Sequence, residues 1–189
     1  MKKSLSEMTL QELWQLFPIF LTEHQRQWRN WYDEEEAVLL KILPQKSVLR
    51  ISHIGSTAIK GIWAKPIIDI LIEVSCQSNL KAFKEILCQN NYICMNECET
   101  GISLNKGYTE AGFSQRVFHF HVRYFGDNDE LYFRDFLNEN PIIAKEYENL
   151  NLSLWKKYEH DRDGYTESKR AFVLEHTQKA KERYGNRYS

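Results

Sequence analysis

Residues 53–73, HIGSTAIKGIWAKPIIDILIE, constrain the fold more tightly than any other stretch of the chain. One apolar run ends in Gly55-Ser56, and a second, Ile67 to Val74, carries Asp69 among isoleucines and a leucine. Two β-rich runs around a Gly-Ser turn predict strand, turn, strand. Gly55 frees the backbone to turn and to approach a ligand closely, and the amides beside Ser56 and Thr57 can hold a phosphate. Asp69 has the chemistry to hold the metal that would accompany such a phosphate.

The 189 residues favour one domain, 1–189, with helical additions. Hydrophobic residues make up 42% of the chain, enough to bury a core. A net charge of −1 gives no electrostatic case for nucleic acid or an anionic membrane surface, so neither is expected as a partner. Cys76, Cys88, Cys94 and Cys98 contain no CxxC pair. With no signal-peptide pattern and no long apolar run, they predict reduced thiols in a cytoplasmic protein rather than a zinc site.

Residues 1–44 form the N-terminal helical part. Leu13, Leu16, Phe17 and Leu21 recur at helical spacing, Thr9 with Glu12 predicts a capping box, and Pro18 ends or kinks the helix. A second helix is predicted from about Trp28 to Leu43. Residues 45–126 form the sheet core, with strands at Val48–Ile54, Ile67–Val74, Tyr92–Met95, Ile102–Asn105 and Val117–Phe125 and a helix through Leu80, Phe83 and Leu87. Residues 127–189 are predicted as C-terminal helices, one covering Ile142 to Lys157 and the last starting near Tyr165. No internal repeat or flexible linker interrupts this α/β (α+β) pattern.

Alternation along two strands sharpens the picture. Ile68, Ile70, Ile72 and Val74 share one face, while Asp69, Leu71 and Glu73 share the other. Phe118, Phe120, Val122 and Tyr124 likewise oppose His119, His121 and Arg123. In one sheet, the ionisable faces would line a common cleft. A solvated sheet face is the alternative, but histidines at i and i+2 project the same way and can ligate one metal.

These residues resemble the GrpB family, a branch of the nucleotidyltransferase superfamily. The resemblance rests on HIGSTAIKGIWAKPIIDIL at 53–71, KGYTEAGFSQRVFHFHVRYFG at 106–126, YFRDFLNENP at 132–141 and DRDGYTESKRAFV at 161–173, with MTLQELWQLFPIFLTEH at 8–24 less perfectly matched. It implies a nucleotidyltransferase-like fold: a small mixed sheet with helices on one face, a cleft on the other, and further N- and C-terminal helices. In that superfamily a Gly-Ser turn binds a triphosphate and an Asp-h-Asp strand with a third carboxylate holds divalent metals for in-line attack on phosphorus.

Gly55, Ser56 and Asp69 fit that scheme, but Leu71 stands where the second acid should fall. Glu73 shares the face about 6.6 Å further along and could serve only if the metal moved. His119 and His121 occupy the strand expected to supply the third carboxylate. Asp69, His119 and His121 are therefore the candidate catalytic and metal-ligating residues, with His53 nearby and magnesium, manganese or zinc as the candidate cofactor. Thr57, Lys65, Lys106, Arg116 and Arg123 join Gly55 and Ser56 as candidate phosphate or ligand contacts. Lys169 falls on a stripe with Tyr165, Phe172, His176 and Ala180, and either snorkels to solvent or points at an acid in the cleft. The expected partner is a nucleoside triphosphate or a phosphorylated small molecule. Three functions stay open: nucleotidyl transfer to a small molecule or protein, non-catalytic sensing of a nucleotide or metabolite, and metal-dependent hydrolysis.

Overall fold

A computed structural model describes residues 3–189. Helix α1 (Leu10–Leu16) begins at the expected capping box, where Thr9 Oγ1 accepts the Glu12 amide at 3.2 Å and Glu12 accepts the Thr9 amide at 2.8 Å. It stops before Pro18, and α2 (Gln27–Ile42) follows. Strands β1 (Val48–Ile54) and β2 (Ile68–Val74) enclose the Gly-Ser turn. After α3 (Leu80–Gln89) come β3 (Ile93–Cys98), β4 (Gly101–Thr109) and β5 (Gly112–Tyr124). The C-terminal part holds α4 (Asp129–Glu139), α5 (Pro141–Lys157), α6 (Arg162–Glu167) and α7 (Arg170–Tyr184).

The five strands form one mixed sheet in the order β1-β2-β5-β4-β3, with β2 and β5 parallel and the other neighbours antiparallel. Strand β5 starts five residues earlier than Val117, because Tyr108 pairs with Phe113 and Thr109 with Gly112 in a tight hairpin. The polar run Ser114-Gln115-Arg116 hides that extension from an apolar pattern. The expected last helix is divided in two: the Lys169 amide bonds the Thr166 carbonyl, tightening the chain, and Lys169 caps α7 instead of lying within it.

One sheet face is apolar. Ile68, Ile70, Ile72, Phe118, Phe120 and Val122 pack against Trp28, Tyr32 and Leu39 of α2 and Phe83 and Leu87 of α3. Burial of each such side chain contributes roughly 1.5–3 kcal/mol. The C-terminal helices form a second cluster in which Ile59 and Ile62, just past the Gly-Ser turn, sit among Tyr132, Phe133, Phe136 and Leu137. Asn138 clamps the same segment, accepting the Lys60 amide and donating to the Ala58 carbonyl, both at 3.0 Å. A third, small cluster lies on the other sheet face, where Leu71 meets Ile54 and Leu131. The second face is therefore closed by α4 at its β1–β2 end and polar toward Asp69.

Glu73 does not belong to the polar cleft. Its fully buried carboxylate pairs with Arg50 and accepts Asn128 Nδ2 at 2.8 Å and the Gly126 amide at 3.3 Å. These bonds tie β1 and β2 to the loop before α4 and occupy both Glu73 oxygens. Removing one partner of a buried pair costs about 3–5 kcal/mol. Glu73→Ala should lose that much stability in urea unfolding; a loss below ~1 kcal/mol would contradict the structural role given to Glu73.

Candidate functional site

The parallel β2–β5 ladder sets Asp69 directly beside His119 and Leu71 beside His121. Asp69 Oδ1 lies 3.3 Å from His119 Nδ1 and 3.9 Å from His121 Nε2. Burial pushes the Asp69 carboxyl up, but hydrogen bonding and charge from the two histidines outweigh it, holding Asp69 well below the usual carboxylate range. Burial lowers the His119 imidazole, against the pull of Asp69. An ionised carboxylate thus faces a neutral imidazole at neutral pH.

Gly55 closes over this carboxylate from the turn. Its φ is +70°, and a Cβ placed there would overlap the Asp69 carboxyl group. Only glycine satisfies both the left-handed backbone and the close approach. Ser56 follows as the first residue of a short 3-10 turn.

Three cations reach the same region from different parts of the chain. Lys65 is placed by the Thr22–Ala64 bridge next to it, where each amide bonds the other's carbonyl at 2.9 and 3.0 Å. Its ammonium lies 5.1 Å from the Tyr165 ring centre, and Lys169 lies 4.2 Å from the same ring. Burial lowers Lys65 to about 7, helped by the charges of Lys169 and Arg162, and lowers Lys169 to about 8. Lys169, half-buried against Tyr165, is drawn toward the charged form by Asp69 and also lines an open pocket with Tyr147 and Glu167. Arg162 stacks over Tyr108 and Phe113, and its Nε is buried without a hydrogen-bond partner. None of the three cations forms an ion pair with an acid among the described residues, since the only close charge partners of Asp69 are the histidines.

Other predicted contacts go elsewhere. His53 pairs with Ile70, so its side chain takes the helix-covered face, stacked on Tyr32 at 5.0 Å. Its Nε2 meets Thr57 Oγ1 at 2.9 Å, while that hydroxyl donates to the Ile67 carbonyl at 3.0 Å. His53 and Thr57 thus brace the turn and line a separate cavity of about 510 Å³ with Arg29, Lys60 and Arg134. Lys106 pairs with Phe118 and also takes the helical side, gripping both oxygens of Glu35 at 2.8 Å. Arg116 pairs with exposed Glu34 over Trp31. Arg123 is on the polar face but neutralised by Glu130 at 2.9 Å and Asp127 at 3.3 Å.

Two residues of the site have no counterpart in the sequence reading. Tyr108 Oη lies 2.7 Å from His119 Nε2, and Arg162 Nη2 donates to that oxygen at 2.9 Å. Both stand inside blocks that carry the family resemblance, KGYTEAG and DRDGYTESKR, which was the available signal.

The donor set does not fit the expected divalent metal. Both nitrogens of His119 are in contact, Gly55 covers Asp69, and the charges of Lys65 and Lys169 reach the carboxylate. The second acid position is filled by fully buried Leu71 in its apolar cluster. Among the described residues no group of three or more His, Cys, Asp or Glu side chains is arranged to hold a metal ion. Leu71→Asp should therefore not restore a metal site. A carboxylate among Ile54 and Leu131 should cost about 3 kcal/mol or more in chemical unfolding. Wild-type stability together with stoichiometric manganese binding would contradict this.

The fold and site define a small mixed-sheet α/β protein with a carboxylate–histidine pair on its polar face and three half-buried cations in the same region. Residues 18–179 match the family described as GrpB protein. The chain belongs to the GrpB family. It is 37% identical to the glutamate-rich protein GrpB of Alkalihalophilus pseudofirmus over 162 residues, 83% of this chain and 92% of that protein. It is 33% identical to the UPF0157 protein YqkA of Bacillus subtilis over 161 residues, 84% of this chain but only 46% of that longer protein. The crystal structure of the conserved protein GrpB from Enterococcus faecalis superposes with a TM-score of 0.74 at 29% identity, covering 87% of this chain and 99% of that one. No helix among the described residues is long and apolar enough to cross a membrane.

Proposed function

We propose that the cleft binds the phosphate of a phosphorylated small molecule, nucleotides included, through Lys65, Lys169 and Arg162. The observation that carries this reading is the three half-buried cations without an acid partner around one carboxylate. Uncompensated charge out of water is costly, and an anion supplies the missing partner. A cavity of about 80 Å³ lined in part by Lys65 and Arg162, with Lys169 outside its wall, offers room on the scale of one such group. In this reading the anion is held by cations rather than through a metal. Nucleotidyl transfer is the second reading, favoured by the Gly55 turn closing on Asp69, where the superfamily scheme places the triphosphate.

The lysines make a distinctive pH prediction. A buried lysine with a depressed pKa attracts an anion only below that value, so affinity is full below about 7 and falls as Lys65 and then Lys169 lose protons near about 7 and about 8. Solvated lysines would hold their charge to about pH 10. Sulfate, whose charge is constant over this range, is the probe. Its affinity, measured by calorimetry with a chelator present, should fall steadily from pH 6.5 to 9. A flat profile, or binding restored only by a divalent metal, would overturn the proposal. In the same folded state the depressed pKa values mean that the unfolded chain binds more protons between about 7 and 10.5, so the two lysines make the unliganded protein more stable as pH rises through that window.

A further inference from the structure

Around Tyr108 one tautomer of His119 makes the hydrogen-bond donors run in a single direction. Arg162 has no acceptor atom, so its Nη2 donates to Tyr108 Oη at 2.9 Å. Asp69 Oδ1 faces His119 Nδ1 at 3.3 Å, a contact that favours the tautomer with the proton on Nδ1. In a neutral imidazole Nε2 is then an acceptor, and the Tyr108 hydroxyl donates to it across 2.7 Å. The sequence Arg162, Tyr108, His119, Asp69 is thus a hydroxyl, a base and an orienting carboxylate, with a cation on the oxygen.

Passing the phenolic proton to His119 would leave a phenolate against Arg162 and an imidazolium against Asp69. Two neutral groups become charged, and each charge appears beside its opposite. This is the constellation that activates a hydroxyl nucleophile: a base within hydrogen-bond reach, itself oriented by a third group. Burial raises the Tyr108 hydroxyl while Arg162 pulls it down, so the proton rests on oxygen until an electrophile is present. The ring is held for this role between Phe17 at 4.7 Å and Phe113 at 5.2 Å.

We propose that Tyr108 is the nucleophile of the cleft, with His119 as its base, and that it takes a phosphoryl or nucleotidyl group from a phosphate anhydride or ester. In that step Tyr108 Oη forms the bond to phosphorus, the bond from phosphorus to the leaving oxygen breaks, and the phenolic proton moves to His119 Nε2. The leaving group departs with the electron pair of that bond, its negative charge facing Lys65 and Lys169. Attack by water or an acceptor hydroxyl on the tyrosyl phosphoester then breaks the bond from Tyr108 to phosphorus. The proton of the attacking hydroxyl passes to bulk water, which in turn protonates the departed leaving group, and His119 returns its own proton to the tyrosine oxygen. The substrate class rests on the reading of the cleft as a phosphate site; the activated hydroxyl does not.

A small neutral sulfonyl fluoride, phenylmethanesulfonyl fluoride, separates the two, because its reaction needs no anion site. Tyr108 attacks sulfur, fluoride leaves, and the proton goes to His119. Peptide mapping of the full chain should place the adduct at Tyr108, and Tyr108→Phe should abolish it. His119→Gln should slow labelling about a hundredfold, the usual contribution of a general base. Asp69→Asn should slow it as well, by removing the charge that orients the imidazole. The groups facing His119 are Asp69 and Tyr108 directly, with His121, Lys65 and Arg162 around them. With His119 present the rate should be level across neutral pH, where the imidazole is already neutral. In His119→Gln it should rise about tenfold per pH unit toward the ionisation of the phenol itself. Thermal unfolding of each variant identifies any that fails to fold, and Tyr108→Phe, which keeps the ring packing, guards against that outcome. An adduct at Lys65, or labelling spread over exposed tyrosines and indifferent to His119, would overturn the proposal. Loss of sulfate binding with Tyr108 labelling intact would remove only the phosphate reading.

Discussion

The parallel pairing of β2 with β5 is the interaction from which the rest of the site follows. Parallel neighbours keep their side-chain alternation in phase, so every ionisable residue of β2 that leaves the core meets one of β5 on the same side. Asp69 meets His119 in this way, and the apolar residues between them are committed to α2 and α3. Sliding the ladder by one residue would bury Asp69 and His119 among phenylalanines and isoleucines. The hydrophobic core therefore fixes the polar geometry.

On the polar face two neighbouring positions have been given opposite work. Leu71 and Ile54 join Leu131 in an apolar contact that docks α4 on the sheet, and α4 in turn clamps the segment after the Gly-Ser turn through Asn138. Docking and a second metal-ligating acid compete for one position, and docking occupies it. What remains is a single carboxylate that holds imidazoles and faces cations. Such a site suits an anion and proton transfer, with Lys65, Lys169 and Arg162 coming from elements outside the sheet.

Much of this was legible in the sequence, for reasons of period. Alternation over Ile67–Val74 and Val117–Phe125 placed Asp69, His119 and His121 on one face without knowledge of their pairing. The capping box marked the start of α1 and Pro18 its end, while Leu21, read on the same stripe, lies beyond the helix. Facts that depend on register or long-range approach were not legible. His53 and Lys106 lie on the helical face because of their partners Ile70 and Phe118, and neither partner can be read locally. Glu73 shares the right face but is used up by Arg50 and Asn128, which are distant in sequence, and Arg123 is used up by Glu130 across the turn into α4. Tyr108 and Arg162 meet only because α6 folds back over the β4–β5 hairpin, a contact that no spacing predicts.

If the cleft holds an anion through cations and without metal, as proposed, loss of those cations weakens anion binding in a chelated solution. Calorimetric titration of pyrophosphate at pH 6.5 in the presence of a chelator tests it most directly, comparing the chain with its Lys65→Ala/Lys169→Ala variant. Binding should be stoichiometric to the first and at least tenfold weaker to the second, because each lost charge-assisted contact is worth about 1.5 kcal/mol or more. Equal affinities for the two proteins, or no binding to the unaltered chain until a divalent metal is added, would contradict it.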